Sequence, residues 1–516
     1  MESAAVAAAH AAGDPKGAAP GEKGLKSNAI GFLSNVVIGV ASVAPAYSLA
    51  VTLGFIVAVA GVGLQAPAVM LVSFIPMLCI AFGYRYLNQA DPDCGTSFTW
   101  GTRAFGPYVG WMNGWAIVVA DVIVMATLAQ IAAIYSFLLF GWDSAANSTF
   151  AIIVAGVIWI AVMTAICYIG IELSARTQQF LLGVELFTLA LFAVWALIKV
   201  YVDDPTGSLH VHLSWFSPFA VDSWSALVEG VLLGVFIYWG WDSGVAVNEE
   251  TEDKRFGPGR AAVVSTLVLL GIYLIVSTAA QAYGGPKLLI DNADDVLNVL
   301  GGKVFPSPLD KLLIIAVLTS ASASTQTTIL PTARTTLSMA RQGAIPKKFG
   351  EVHPRHQTPG FSTLLMGIAS IGWFVAVIAI STNVLGDSIL GLGFAIAFYY
   401  GLTGFACAWY FRKALFKSVR NFVYAGLIPF AGGAMLTGIF IKSYIDLHPA
   451  DSGASKAIAG IGAPVVIGVG SLLLGLVVMV FARIAHPAFF RRKPDVGDPK
   501  FLEPEAEQAQ ASVAKG

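Results

Sequence analysis

Twelve long apolar runs cross the chain, each bounded by glycine, proline or charge. They fall near residues 29–58, 64–84, 107–138, 150–170, 178–201 and 225–247, then 260–284, 309–335, 360–382, 387–411, 421–442 and 462–484. A helix needs about 20 residues to cross roughly 30 Å of hydrocarbon. In lipid only a helix or a closed barrel satisfies every backbone N–H and C=O. The ten-residue alternation of polar and apolar positions that marks a barrel is absent. The pattern predicts an all-α polytopic membrane protein, with twelve transmembrane helices over residues 29–485. Residues 1–28, rich in Ala and Gly with Lys16, Lys23 and Lys26, lack the apolar core of an export signal and read as a solvated tail. Residues 486–516 read as a second polar tail, and no loop is long enough for a soluble domain.

Composition agrees: 56% of the 516 residues are hydrophobic and 12% charged, against about 45–50% and about 25% in soluble domains. That excludes a soluble enzyme, a disordered chain and a fibrous one. A net charge of −1 argues against a nucleic-acid partner. Cys79, Cys94, Cys167 and Cys407 show no metal-ligand or disulfide spacing, so no metal site is expected. All seven histidines fall in tails or loops, leaving no intramembrane catalytic pair. Neither an enzyme nor a cofactor is expected. With the N-terminus inside, 24 of the 30 lysines and arginines fall on the cytoplasmic side, a bias that predicts a cytoplasmic location for both termini of a multi-pass plasma-membrane protein.

Two spans are interrupted. In the first, Pro45 falls mid-run after the small residues Gly39, Ala41, Ser42 and Ala44. Proline removes an N–H and pushes its predecessor out of the α region. In the sixth, Gly240 and Gly244 flank Trp241, Asp242 and Ser243. The first and sixth spans are equivalent members of two successive sets of five, and paired breaks of this kind point to a transporter site between repeats. Glycine and proline also serve close helix packing in membranes, which is the plainer reading.

Three acids lie deep in apolar runs: Asp121, Glu185 and Asp242. Each costs at least about 2.5–3.5 kcal/mol to insert, so such groups face the bundle interior and carry function, or are neutral structural acids. A buried Glu185 could exchange a proton, or ligate sodium with the hydroxyls Ser322, Ser324, Thr325, Thr327 and Thr328 of the eighth span. Those hydroxyls could equally bond helix to helix.

Three segments carry a resemblance. Asp93–Trp115, DCGTSFTWGTRAFGPYVGWMNGW, resembles the approach to helix 3 of amino acid–polyamine–organocation permeases. YWGWDSGVAVNEETEDKRFGPGRA, from Tyr238, is similar to their helix 6, and TARTTLSMARQGAIPKKFGEVHPRHQTP, from Thr332, to their helix 8 end. They stand in the family's order. The resemblance implies a LeuT-like fold of five plus five inverted helices (about 29–201 and 225–411) with two peripheral helices at 421–484. It implies import of amino acids by alternating access, with a proton as the coupling ion. Sodium coupling, exchange, and import of a putrescine-type polyamine remain open, the last because GVASVAPAYS and Asp121 also resemble putrescine-uptake members. In that family the substrate carboxylate meets N–H groups at the first-span break, here Ser42, Val43 and Ala44. Its amino group meets carbonyls around Phe236–Gly240, with Phe236 and Tyr238 at gating or stacking positions and Trp239 beside them. Glu185 matches a position that holds a lysine in sodium-independent relatives, and is expected to couple protons, with Asp121 a second candidate. Asp242 matches a commonly acidic position. Glu249 and Glu250, with Arg260, Arg103 and Arg341, are expected to form a cytoplasmic gate. The loop after the third span has no cysteine, so no covalent heavy-chain partner is expected.

Overall fold

The computed structural model describes residues 23–380, 384–450, 452 and 457–496. The outer parts of both expected tails, 1–22 and 497–516, lie outside the described residues. Twelve helices are long and apolar enough to cross a membrane. They are α1 (Phe32–Ala58), α2 (Gly63–Ala90), α3 (Pro107–Leu139), α4 (Thr149–Ile169), α5 (Ile171–Val202) and α6 (Trp224–Ala246). The second six are α7 (Gly257–Asp291), α8 (Leu309–Arg341), α9 (Gly360–Ile378), α10 (Gly386–Tyr410), α11 (Val419–Leu447) and α12 (Ala463–Ala485). The protein is an all-α membrane protein, and among the described residues the only β pairing is two isolated bridges. With twelve spans both described ends lie on one side, here the terminal side.

Several boundaries differ from expectation. α5 begins at Ile171, not near 178, because Gly170 (φ 154°) turns the chain without a loop. α8 continues to Arg341, one and a half turns past the apolar run, because its polar end is packed inside protein. A short helix, Ser97–Phe105, precedes α3, and the expected loop 285–308 holds a helix over Val296–Val304.

Both tail roots also depart from a solvated reading. Leu25 is buried, packed with Cys94 and Leu337. Ala29 and Ile30 donate their N–H groups to the Glu250 carbonyl at 2.8 and 3.2 Å, and Glu252 N–H returns to the Ile30 carbonyl at 3.0 Å. At the other end Phe489 and Phe490 are buried, with Phe489 stacked on Phe98. Apolar side chains in these short segments leave water for the bundle, and the backbone follows.

The helices sort into inner and outer. In its most apolar stretch α1 is 89% buried and α12 22%, so α1 is enclosed by protein and α12 largely by lipid. α3 packs on α8, α2 on α7, and α11 and α12 on α10. The breaks in α1 and α6 are real. Ala44 is left-handed (φ 52°, ψ 67°), and Pro45 opens a new helix, where a missing N–H costs nothing. In α6 the helix stops at Tyr238, Gly240 takes φ 118°, and helix resumes over Ser243–Ala246. A Cβ on Gly240 would stand 2.9 Å from the Ser42 carbonyl oxygen, so glycine both permits the turn and lets the two breaks touch.

Candidate functional site

The two breaks enclose a small cavity lined by Ser42, Ile117, Asp121, Trp239, Gly240, Asp242, Ser243, Thr328, Pro331 and Tyr399. Ser42 and Ser243 join the broken segments through their hydroxyls at 2.7 Å, and the Ser324 hydroxyl donates to the Ser42 carbonyl at 2.8 Å. Of the residues expected to bind substrate, Ser42, Trp239, Gly240 and Asp242 therefore meet at one cavity. Val43, Ala44, Phe236 and Tyr238 do not line it. Tyr238 instead packs edge-on against Tyr273, and Phe236 against Tyr47.

Among the described residues, two carboxylates and no cation line this space. Asp242 accepts from Tyr400 at 2.8 Å, from Tyr399 at 3.1 Å and more weakly from Tyr84 at 3.4 Å. Asp121 accepts from the Thr332 hydroxyl. The Trp239 indole donates to Tyr399, extending the aromatic wall. An acid held only by neutral donors has its charge uncompensated, and aromatic faces add attraction for a cation. The lining thus presents carboxyl oxygens and aromatic faces to the cavity.

Glu185 lies outside the cavity lining. Its Oε1 accepts the Ala46 N–H at 2.7 Å and the Ser320 hydroxyl at 2.8 Å, while Ser320 Oγ accepts the Tyr47 N–H at 3.1 Å. Glu185 and Ser320 thus cap the second half of α1, where free donors and the helix dipole favour an anion. The donor expected at Ala44 is turned back to the Ala41 carbonyl at 3.2 Å. Glu185 Oε2 is buried without a hydrogen-bond partner. Ser322, Thr325 and Thr327 return their hydroxyls to carbonyls of α8 itself.

On the terminal side the cavity is backed by charges. Lys23 Nζ bridges Asp93 and Glu249, 2.7 Å from each. Asp93, Cys94 and Glu249 have metal-type ligand atoms close together, and the Lys23 ammonium, 3.6 Å from Cys94 Sγ, already supplies a cation there. Glu250 makes a two-toothed pair with Arg334 at 2.8 and 2.9 Å, both fully buried. Arg103 pairs with Asp91, and Arg341 donates to the Lys23 carbonyl at 3.2 Å. The Arg260 guanidinium lies over the Phe256 ring. On the opposite side Tyr47 donates to Thr127 at 2.7 Å, and Tyr135 bonds Asp295 ahead of the Val296–Val304 helix.

Burial alone would lower the Lys23 pKa, but Cys94, Asp93 and Glu249 outweigh it and hold the ammonium above the ordinary lysine value. For Asp93 burial acts upward, and Lys23 outweighs it, leaving the carboxyl below its ordinary value. A raised lysine keeps its contribution below about pH 10, and a lowered aspartate keeps its own above about pH 4. The latch is therefore charged across the neutral range, and any pH dependence of turnover there arises elsewhere. Lys23→Gln is expected to loosen it. Charge-assisted hydrogen bonds are worth about 1.5–3 kcal/mol, so amide hydrogen exchange over residues 93–96 should speed up about tenfold or more. Unchanged exchange would show that Lys23 holds nothing shut.

Sequence reasoning missed Tyr84, Tyr399, Tyr400, Ser320, Lys23 and Arg334 as members of these groups. Comparison with known proteins decides the family: residues 30–482 match the family model described as amino acid permease. The chain belongs to the amino acid permease family. It is 27% identical over 380 residues to an uncharacterized transporter of Mycobacterium tuberculosis, covering 72% of this chain and 78% of that one. It is 22% identical to the low-affinity putrescine importer of Escherichia coli, covering 73% and 80%. It is also 24% identical to the mitochondrial cationic amino acid transporter 3 of Arabidopsis thaliana, over 58% and 50% of the two chains. This permease is a transporter of small molecules, and two of these relatives are named as a putrescine importer and a cationic amino acid transporter.

Proposed function

We propose that this permease is a secondary transporter importing small organic cations with primary amines, a putrescine-type diamine ahead of amino acids. The observation that carries this is a cavity with two carboxylates, Asp121 and Asp242, and no cation in its lining. A second feature supports it. The half-helix N-terminus that would receive a substrate carboxylate is occupied by Glu185 and Ser320. A diamine needs no such receptor; an amino acid does. The putrescine importer among the relatives supports the same reading. Cationic amino acids are the second reading, favoured by the Arabidopsis relative.

The remaining parts of the proposal follow the family. The ten inner helices act as two inverted repeats, and transport proceeds by alternating access. The terminal side is the cytoplasmic side of the plasma membrane, a reading that the lysine and arginine bias supports. Lys23, Glu249 and the Glu250–Arg334 pair then form the inner gate, with Arg103 and Arg341 at its edge.

Glu185 is the proposed proton carrier. One oxygen is fixed by two donors, and the other has no partner, leaving an acceptor for a proton beside the hinge of α1. Sodium is the weaker choice because Ser322, Thr325 and Thr327 lie off the α8 face from which Ser320 reaches Glu185, and would not complete an oxygen shell beside it. The test is uptake into sodium-free proteoliposomes under an inward proton gradient, with putrescine, arginine and a neutral amino acid pool in separate arms. Putrescine uptake supports the proposal; uptake confined to the neutral pool refutes it. Glu185→Gln should abolish gradient-driven accumulation, at least about tenfold, and keep exchange of labelled for unlabelled substrate. Full gradient-driven uptake in that variant would remove Glu185 from coupling.

A further inference from the structure

We propose that the groove between α3, α8, α9 and α12 binds one acyl chain of an anionic phospholipid, whose phosphate is held at the terminal-side rim by Lys347, Lys348 and Arg483. The inference does not depend on the identity of the transported substrate.

The groove is a cavity of about 290 Å³ lined almost wholly by apolar side chains, among them Trp115, Leu365, Met366 and Val478. Leu365 and Ala369 are exposed residues of its wall on α9. They stand on the surface that carries Leu364 and Ile368, both exposed apolar residues of a transmembrane span. The medium at that depth is hydrocarbon, so an apolar opening there is filled by a lipid tail rather than by water.

The rim identifies the headgroup. Tyr108, Trp111 and Trp115 lie on successive turns of one face of α3, and Trp111 and Trp115 line the groove. The Arg483 guanidinium stands over the Tyr108 ring, 5.7 Å from its centre, which puts a cation one turn beyond the lining on the terminal side. Across the opening, Lys348 Nζ stands 4.5 Å from the centre of the Phe361 ring, next to Ser362 and one turn from Leu365. Lys347 and Lys348 fall between Pro346 and Phe349, which both line the groove. All three cations are exposed. The acid nearest in sequence, Glu351, is itself exposed. A basic rim around an apolar cleft at the membrane surface is the arrangement that selects anionic lipids.

The groove shares a wall with the substrate cavity. Thr332 lines it, and the Thr332 hydroxyl donates to Asp121 on the cavity side. A lipid tail seated here supports the α3–α8 contact on which Asp121 depends.

The test is native mass spectrometry of the full chain, titrated in detergent with phosphatidylglycerol or with phosphatidylcholine of the same acyl chains. The first phosphatidylglycerol adduct should be retained about tenfold more strongly than its phosphatidylcholine counterpart. Replacing the three rim cations together (Lys347→Gln, Lys348→Gln, Arg483→Gln) should bring the two lipids to equal retention. Ala369→Trp, which fills the groove from an exposed position, should remove the adduct for both lipids. Inorganic phosphate alone would be insensitive to Ala369→Trp, and that result would overturn the acyl-chain assignment. Equal retention in the unchanged protein, or an adduct unaffected by either set of substitutions, would also overturn the proposal. So would a dimer signal lost with Ala369→Trp, which would give the groove to a second copy of the chain.

Discussion

Asp242→Asn will cut putrescine uptake at least about 30-fold, because removing one partner of a desolvated charge pair costs about 2–5 kcal/mol and each 1.4 kcal/mol is tenfold. Asparagine keeps the shape of the side chain and removes its charge. The tyrosines that now donate to Asp242 from α2 and α10, Tyr400 at 2.8 Å foremost, would meet an amide instead of a carboxylate. Hydroxyls can turn to accept as well as donate, so the fold should survive. Thermal unfolding of the purified variant should move little, while initial uptake rates collapse. Uptake at the parent rate would reduce Asp242 to a structural acid among tyrosines.

The partner experiment is Asp121→Asn. If the two acids hold the two amines of one diamine, each substitution alone is severe, and their effects are not additive because both act on one bound molecule. A substrate with a single amine would make only one of them severe. Tyr400→Phe should lie between, since it leaves the charge and removes one charge-assisted hydrogen bond worth about 1.5–3 kcal/mol. Uptake measured over several putrescine concentrations separates weaker binding from slower turnover.

The spans were legible because the bilayer demands length and low charge, and nothing in a twelve-helix chain can evade that demand. The breaks were legible from Pro45 and Gly240, whose backbone restrictions act locally. Asp121, Glu185 and Asp242 stood out because burying an acid is costly wherever it happens. What stayed hidden depends on distance along the chain. Tyr399 and Tyr400 meet Asp242 from 157 and 158 residues away, and no local pattern marks them. Lys23 resembled any tail lysine, and Arg334 any inner anchor, until the fold brought up Asp93, Glu249 and Glu250. The α8 hydroxyls did carry an unread signal. Ser320, Ser324 and Thr328 recur every four residues, one helix face. Ser320 reaches Glu185, Ser324 reaches Ser42, and Thr328 lines the cavity. Ser322, Thr325 and Thr327 lie off that face. The substrate carboxylate role of Ser42, Val43 and Ala44 came with the family resemblance, and in this chain Glu185 accepts the neighbouring Ala46 N–H and Ser320 the Tyr47 N–H.

The second large effect concerns Arg334 and Glu250. Breaking a buried ion pair from one side leaves an uncompensated charge and costs about 3–5 kcal/mol, whereas replacing both partners with apolar residues is often neutral. Arg334→Met alone and Glu250→Leu alone should therefore each lower the thermal transition sharply, and the double substitution should recover most of the loss. That cycle measures the pair and separates it from the packing of either side chain. The position adds a functional consequence. The Glu250 side chain grips α8, while its carbonyl accepts Ala29 and Ile30 from the segment before α1. One residue thus ties the approach to the first break and the segment after the second to α8. If the pair serves stability alone, the double variant will transport as the parent does. If it is a bond that opens and reforms in each cycle, the double variant will be stable and will still lose most of its turnover, because an apolar contact in its place has no charged partners to release into water.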